Sequence, residues 1–179
     1  MTRKLKLYIA TSLNSRISTA DGSVAWLETI PHPKDEDYGY QEFYKTVDTT
    51  IMGYSTYAQL KGWDIPWPYK DKKNYVITRK KDLPLDDEVE FISSNHAQRV
   101  NELKNEAGKD IWVVGGGQIN TMMLNAGLID QIYIHIMPII LNGGIELFEA
   151  IPDLQNLELI SSKPYSSGVM ELRYKVGTN

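Results

Sequence analysis

Ile111-Trp112-Val113-Val114-Gly115-Gly116-Gly117-Gln118-Ile119 is the stretch that decides the fold. An apolar, β-rich run ends on three glycines and is followed by a helix-compatible segment, Gln118 to Ala126. Without Cβ atoms the glycines let the chain turn sharply and lie close against a ligand. The amides that open the following helix have no intrahelical acceptor, which favours an anion such as a phosphate in front of them. The joint is thus a place to hold a nucleotide, or else a plain tight turn. It lacks the G-x-G-x-x-G spacing of the dinucleotide fingerprint, which argues against an ordinary Rossmann unit.

On either side of this joint, short strands and helices alternate. Leu5–Ser12, Asp48–Met52, Asn74–Thr78 and Asp110–Val114 read as strands, three of them almost continuous in apolar or β-branched residues. Such runs suit a mainly parallel sheet covered on both faces. Between them lie helical candidates at Glu36–Thr46, Ser55–Leu60, Ala97–Ala107 and Gln118–Ala126. In the third, Val100, Leu103 and Ala107 share one face, and Ser94 and Asn95 are suitable caps before it. Past residue 127 the rhythm changes. Ile129–Leu141 reads as a long strand, Asn142-Gly143-Gly144 as a turn, and Leu157–Ser162 with Val169–Val176 as an antiparallel hairpin. Two loops, Ala20–Lys34 and Gly62–Lys72, are irregular. The second carries Trp63, Pro66, Trp67, Pro68 and Tyr69, which either line a ligand cleft or cover a sheet edge.

A chain of 179 residues suits a single domain spanning 1–179 and burying roughly 70% of its extended surface. The net charge of -4 gives no support for a nucleic-acid or membrane partner. The cysteine count of 0 excludes disulfides, thiolate metal sites and cysteine nucleophiles, and fits the cytoplasm. The opening Thr2-Arg3-Lys4 precedes an apolar stretch that Lys6 interrupts, so it reads as a strand rather than a signal peptide. His32, His96 and His135 show no metal-ligand spacing, so no metal is expected. They read as structural or exposed, and Trp112 and Met122-Met123 as core.

Four segments in order resemble the dihydrofolate-reductase-like fold, including the riboflavin-pathway reductases (the RibD C-terminal domain). They are Ile9-Ala10-Thr11-Ser12-Leu13-Asn14-Ser15-Arg16-Ile17, Ile51-Met52-Gly53-Tyr54-Ser55-Thr56-Tyr57, Asn74-Tyr75-Val76-Ile77-Thr78-Arg79 and Val113-Val114-Gly115-Gly116-Gly117-Gln118. Gly127-Leu128-Ile129-Asp130, with Pro138 and Gly143-Gly144-Ile145-Glu146-Leu147-Phe148, is similar to the riboflavin branch. The resemblance implies a three-layer α/β fold, with a mainly parallel central sheet, helices on both faces and a C-terminal antiparallel hairpin. It also implies an enzyme that uses NADPH to reduce pterin or aminopyrimidine compounds.

Carried over position by position, the resemblance sets Gly115 and Gly116 against the cofactor's pyrophosphate, with the amides of Gly117, Gln118 and Ile119 behind them. Gly53, Tyr54, Ser55 and Thr56 supply the second phosphate contact, although the Ser55 and Thr56 hydroxyls would serve equally as helix caps. The family places an Arg directly after that glycine, and this chain has Tyr54. Thr78, Arg79 and Lys80 lie where a hydroxyl or cation meets the 2′-phosphate; the alternative is a solvated basic turn. Arg79 is expected as the main reader, since a charge-assisted hydrogen bond is worth ~1.5–3 kcal/mol. Ala10 and Ile17 match positions that hold the nicotinamide. Asn14-Ser15 departs from the Asp-Gly of the riboflavin branch.

Asp37 falls opposite the carboxylate with which dihydrofolate reductases grip the pterin. It would carry a raised pKa in an apolar cleft and assist protonation as the catalytic residue. The competing reading is an acidic helix start, Asp35-Glu36-Asp37, stabilised by the macrodipole. Tyr40 and Gln41, with Tyr44, share its helical face as substrate contacts. Trp26 is expected beside the substrate or as a loop anchor, and Glu28 and Asp21 are weaker carboxylate candidates. Lys72 stands where dihydrofolate reductases use an Arg on the substrate's glutamate, but Lys is a point charge rather than a fork. Arg16 and Lys34 are further candidates for a substrate phosphate.

The leading expectation is therefore NADPH-dependent hydride transfer to a small heterocycle, first the riboflavin-pathway reduction of 5-amino-6-(5-phosphoribosylamino)uracil. Dihydrofolate reduction is the second reading, and a non-catalytic NADPH-binding module the third. The resemblance further implies a homodimer through the edge strands.

Overall fold

A computed structural model of the chain describes residues 2–34, 36–149 and 154–177. In chain order the elements are β1 (Leu5–Ser12), β2 (Arg16–Ser18), a 3₁₀ turn (Ala25–Thr29), α1 (Tyr40–Lys45), β3 (Val47–Gly53), α2 (Tyr54–Lys61), β4 (Lys73–Ile77) and β5 (Glu90–Ile92). They continue with α3 (His96–Asn105), β6 (Asp110–Gly115), α4 (Gly117–Asn125), β7 (Gln131–Met137), β8 (Ile145–Glu146), β9 (Leu157–Pro164) and β10 (Met170–Val176). The main sheet has eight strands in the order β5-β4-β3-β6-β1-β7-β10-β9. Strands β5 to β7 in that order run parallel, and β10 pairs antiparallel with both β7 and β9. Strands β2 and β8 form a separate small ribbon beside β1.

Side chains alternate across each strand, so the apolar runs feed two cores at once. On one face Leu7, Ile9, Ile51 and Val113 pack with Val100 and Leu103 of α3 and Ile119 and Met123 of α4. On the other, Met52, Val76 and Trp112 pack with Phe43 of α1, Leu60 of α2, and Trp67 and Tyr69 of the following loop. These are the three layers: helices, sheet, helices. A smaller cluster of Trp26, Ile30, Tyr38, Met137 and Tyr165 lies beneath the 20–38 loop.

Two expectations need correction. The helix expected over Glu36–Thr46 covers Tyr40–Lys45 alone. Tyr38 (φ 54) and Gly39 (φ 79) occupy the left-handed region, which no α-helix continues through. The strand expected over Ile129–Leu141 is β7, Gln131–Met137, because the Ile139 amide turns back onto the Met137 carbonyl. Strands β2, β5 and β8, of two or three residues each, left no readable pattern. Asn95 does precede α3, yet it sits left-handed and makes no side-chain cap. Asn14 donates to the Leu141 carbonyl at 2.8 Å and accepts from its amide at 3.1 Å. A carboxylate could not do both, which gives the departure from Asp a structural reason. Among the described residues no helix is long and apolar enough to cross a membrane.

Candidate cofactor and substrate cleft

Strands β3 and β6 are neighbours, with Met52 opposite Gly115, so their C-terminal ends lie side by side. Each strand runs directly into a helix, β3 into α2 through Gly53 and β6 into α4 through Gly116. Both helix caps are glycines and neither start carries a side-chain cap. The first bond of α4 is Asn120 N to Gly116 O at 3.0 Å, so the amides of Gly117, Gln118 and Ile119 precede the ladder. A Cβ on Gly53 would lie 2.9 Å from Ile119 Cγ1, which shows how tightly the two helix starts are packed. Two uncapped helix N-termini therefore open onto one cleft.

The three central glycines differ in what they permit. Gly115, at φ 124, holds a backbone conformation that L side chains avoid. A Cβ on Gly117 would run into the Glu146 carbonyl, so its bareness lets β8 pack against the helix. At Gly116 a Cβ would meet nothing nearer than Thr56 Oγ1 at 3.8 Å and Ile17 Cδ1 at 3.9 Å. Its missing side chain leaves space in the cleft itself, a cradle sized for a ligand rather than for packing.

The cleft holds about 1230 Å³. Of the residues expected at a cofactor, Ala10, Ile17, Gly53, Tyr54, Ser55, Thr56, Thr78, Arg79, Lys80, Gly116, Gly117, Gln118 and Ile119 all border it. Gly115 lies just behind, against Ile9 and Asn120. At the end formed by β4, the Lys80 ammonium sits 3.8 Å from the centre of the Tyr54 ring. The tyrosine in the place of the family's arginine thus holds a cation by its π face. His96 borders the same end, with Nε2 3.0 Å from the Thr78 carbonyl. A carbonyl only accepts, so this nitrogen carries a proton.

The other end is aromatic. Tyr8, Trp63, Tyr69 and Trp112 border it with Leu27 and Leu60. Tyr8 stacks on Phe43 at 4.3 Å, and its carbonyl accepts from Trp112 Nε1 at 3.1 Å. Burial, and next the charge of Glu171, push the Tyr8 phenol up, so it stays a neutral donor. Its hydroxyl donates to the Tyr38 carbonyl at 3.3 Å, and His135 Nε2 meets the same oxygen at 3.0 Å. Behind this floor His135 and Glu171 are both buried, 3.2 Å apart. Burial pulls the imidazole's pKa down. Burial works against the charge of Glu171 as well, but the Arg173 guanidinium at 2.6 Å outweighs it and holds the carboxyl low.

The residues expected to hold substrate are placed elsewhere. Asp37 is exposed outside the cleft, its carboxylate accepting from the amides of Gln41 at 2.9 Å and Gly39 at 3.0 Å. The Gln41 bond foremost holds its pKa below the ordinary carboxylate value, the opposite of the raised pKa expected. Gln41 is exposed. Tyr40 is packed edge-on behind Tyr8 and Trp112, a second layer rather than the lining. Lys72 is taken by Asp71 at 3.0 Å and by the Tyr44 ring at 3.8 Å. Trp26 is buried in the third cluster, the loop-anchor alternative, with Nε1 unpartnered. Asp21 does border the cleft, its carboxyl held low first by the Thr19 hydroxyl, whereas Glu28 is exposed.

Tyr8, Trp112 and His96 went unrecognised as lining residues. Tyr8 was readable, because it shares a strand face with Ala10 two residues on. Among the described residues no cluster of three or more His, Asp or Glu could hold a metal.

The family model described as the RibD C-terminal domain matches residues 3–170. The chain belongs to the RibD C-terminal domain family. It is 37% identical over 174 residues to the uncharacterized protein YwjB of Bacillus subtilis (strain 168), covering 97% of this chain and 98% of that one. Among solved structures, a putative riboflavin biosynthesis protein from Shewanella sp. PV-4 superposes with a TM-score of 0.87 at 26% identity, over 99% of this chain and 100% of that one. Dihydrofolate reductase from Enterococcus faecalis, complexed with NADP(H), superposes at 0.71 over 99% and 100% of the two chains. At 14% identity the second likeness shows the fold alone. This RibD C-terminal domain thus has a dihydrofolate-reductase-like architecture.

Proposed function

We propose that this RibD C-terminal domain is an NADPH-dependent reductase that delivers hydride to an aminopyrimidine- or pterin-type substrate. One observation carries the reading: two uncapped helix starts converge on a cleft that is cationic at one end and aromatic at the other. Paired helix N-termini favour a diphosphate, and the open space at Gly116 lets it approach the backbone. Gly53 to Thr56 and Gly116 to Ile119 would hold the diphosphate, and Arg79 and Lys80 the 2′-phosphate. Ala10 and Ile17 would hold the nicotinamide. When bound, NADPH supplies the hydride.

The chain's own residues then orient the acceptor. Tyr8, Tyr69 and Trp112 offer ring faces and edges to a flat heterocycle. The family supports a riboflavin-type reduction, and the phosphoribosylamino-uracil is its named candidate. The dihydrofolate reading rested on Asp37, which is engaged by backbone amides outside the cleft. The test is loss of NADPH absorbance with each substrate beside a calorimetric NADPH titration. Turnover of either supports the reductase, and tight binding without turnover favours the binding module.

A homodimer belongs to the same proposal. Strand β9 is exposed along its whole length and carries Leu157, Leu159 and Ile160 at the open edge of the sheet. An exposed apolar edge strand is a template for a second copy. Light scattering that gives one chain mass would overturn this part.

A further inference from the structure

The cations of the chain decide which members of that substrate class the aromatic end can accept. All 19 lysines and arginines lie within the described residues. Two of them border the cleft, Arg79 and Lys80, adjacent in sequence at the end of β4. The aromatic floor stands on β1 and β6, through Tyr8 and Trp112. Strand β3 separates β4 from β6, and β3 with β6 separates it from β1, so Trp112 and Tyr8 stand two and three strand spacings from β4, roughly 10 and 14 Å. No flexible side chain on the β4 end serves both.

Of the cations near the loops around the cleft, Lys34 and Lys70 are exposed and do not border it, and three others are matched within the protein. Lys72 is held by Asp71 and the Tyr44 ring. Lys61 is held by Asp86 at 2.8 Å, and Arg16 by Glu146 at 2.7 Å. Asp37 is satisfied by two backbone amides and Glu171 by Arg173. The carboxylates that border the cleft, Asp21 and Glu149, repel an anion rather than attract one. A phosphate or carboxylate placed against the rings would lose its hydration with no counter-charge, a large cost, whereas a neutral ring gains stacking there.

We propose that the aromatic end takes an uncharged planar heterocycle, a pyrimidine or pterin ring without phosphate or carboxylate substituents, and that the cleft's one cationic end is committed to the cofactor. This narrows the substrate of the reductase reading above and rests on it. It sets aside both the phosphoribosylamino-uracil and dihydrofolate in favour of their uncharged counterparts.

Two matched pairs test it with the wild-type protein saturated with NADPH. One is 5-amino-6-(ribosylamino)uracil against its 5′-phosphate, the other 6-methyl-7,8-dihydropterin against dihydrofolate. Dissociation constants come from tryptophan quenching and kcat/KM from NADPH absorbance. The expected result is a threefold or greater preference for the neutral member in at least one pair and no preference for the charged member in the other, with an affinity insensitive to salt. A smaller ratio in both pairs, or preference for the charged member, overturns the proposal. Should NADPH bind and no ring bind, the proposal falls and the cofactor reading stands; should NADPH also fail to bind, the reductase reading falls with it. Gln59 of α2 borders the cleft beside Leu60 and donates to the Gly22 carbonyl at 2.9 Å; Gln59→Arg, which adds a cation there, is expected to shift the preference at least tenfold toward the phosphate, and no shift counts against the charge argument.

Discussion

The nearest atom to a side chain grown on Gly116 would be the hydroxyl oxygen of Thr56, 3.8 Å away across the cleft. The next glycine is the reverse case, for there a Cβ would strike the Glu146 carbonyl. Gly116→Ala is therefore expected to fold normally and to weaken NADPH at least tenfold. Gly117→Ala is expected to cost ~1–3 kcal/mol of stability by overpacking. Thermal melts beside calorimetry separate the two, and an unstable Gly116→Ala with intact binding would reverse the assignment.

Arg79 is exposed at the cleft's cationic end, and among the described residues no carboxylate lies within ion-pair distance of it. A charge-assisted bond to the 2′-phosphate is worth ~1.5–3 kcal/mol. Arg79→Ala should raise the NADPH dissociation constant by roughly ten- to a hundredfold and leave that of NADH nearly unchanged. Equal losses for both cofactors would remove Arg79 from phosphate reading.

Asp37 caps the start of α1 through the Gln41 amide. Asp37→Ala should lower stability by ~0.5–2 kcal/mol, as the loss of a cap does, while kcat changes little. Asp37→Asn keeps an acceptor and should recover most of that stability. A fall in kcat of a hundredfold or more in Asp37→Asn, with the melt unchanged, would restore its catalytic role.

Glu171 and His135 give stability a defined dependence on pH. Burial lowers the folded-state pKa of His135 below its ordinary 6.5. For Glu171 burial opposes the charge, but Arg173 outweighs it and the carboxyl lies below its ordinary 4.5. In both cases the unfolded chain binds the extra proton more readily. Their stabilisation is complete above the ordinary values and is lost as pH falls, first below 6.5 for the histidine and then below 4.5 for the glutamate. Urea midpoints should therefore fall in two stages on acidification, and His135→Asn should flatten the first. An unchanged first stage would contradict the placement.

The parallel strands and the glycine joint were legible because burial on both faces writes long apolar runs, and because three glycines in a row have few other uses. The cofactor end was legible for the same reason, since it is built from strand ends and the helix starts that follow them. The substrate end was not. Asp37 and Lys72 matched by position, but neither Tyr38's left-handed turn nor the Lys72–Asp71 pair is written in spacing. Trp112 reads as core from its neighbours and is in fact both core and lining, because β6 buries one of its faces beneath the cleft floor.

Calorimetric titration of NADPH into the wild-type protein and Gly116→Ala, with and without inorganic diphosphate, tests the central claim most directly. The converging helix starts predict one NADPH per chain, displaced competitively by diphosphate and at least tenfold weaker in the variant. No heat of binding in the wild type, or binding that neither diphosphate nor the variant disturbs, would contradict it.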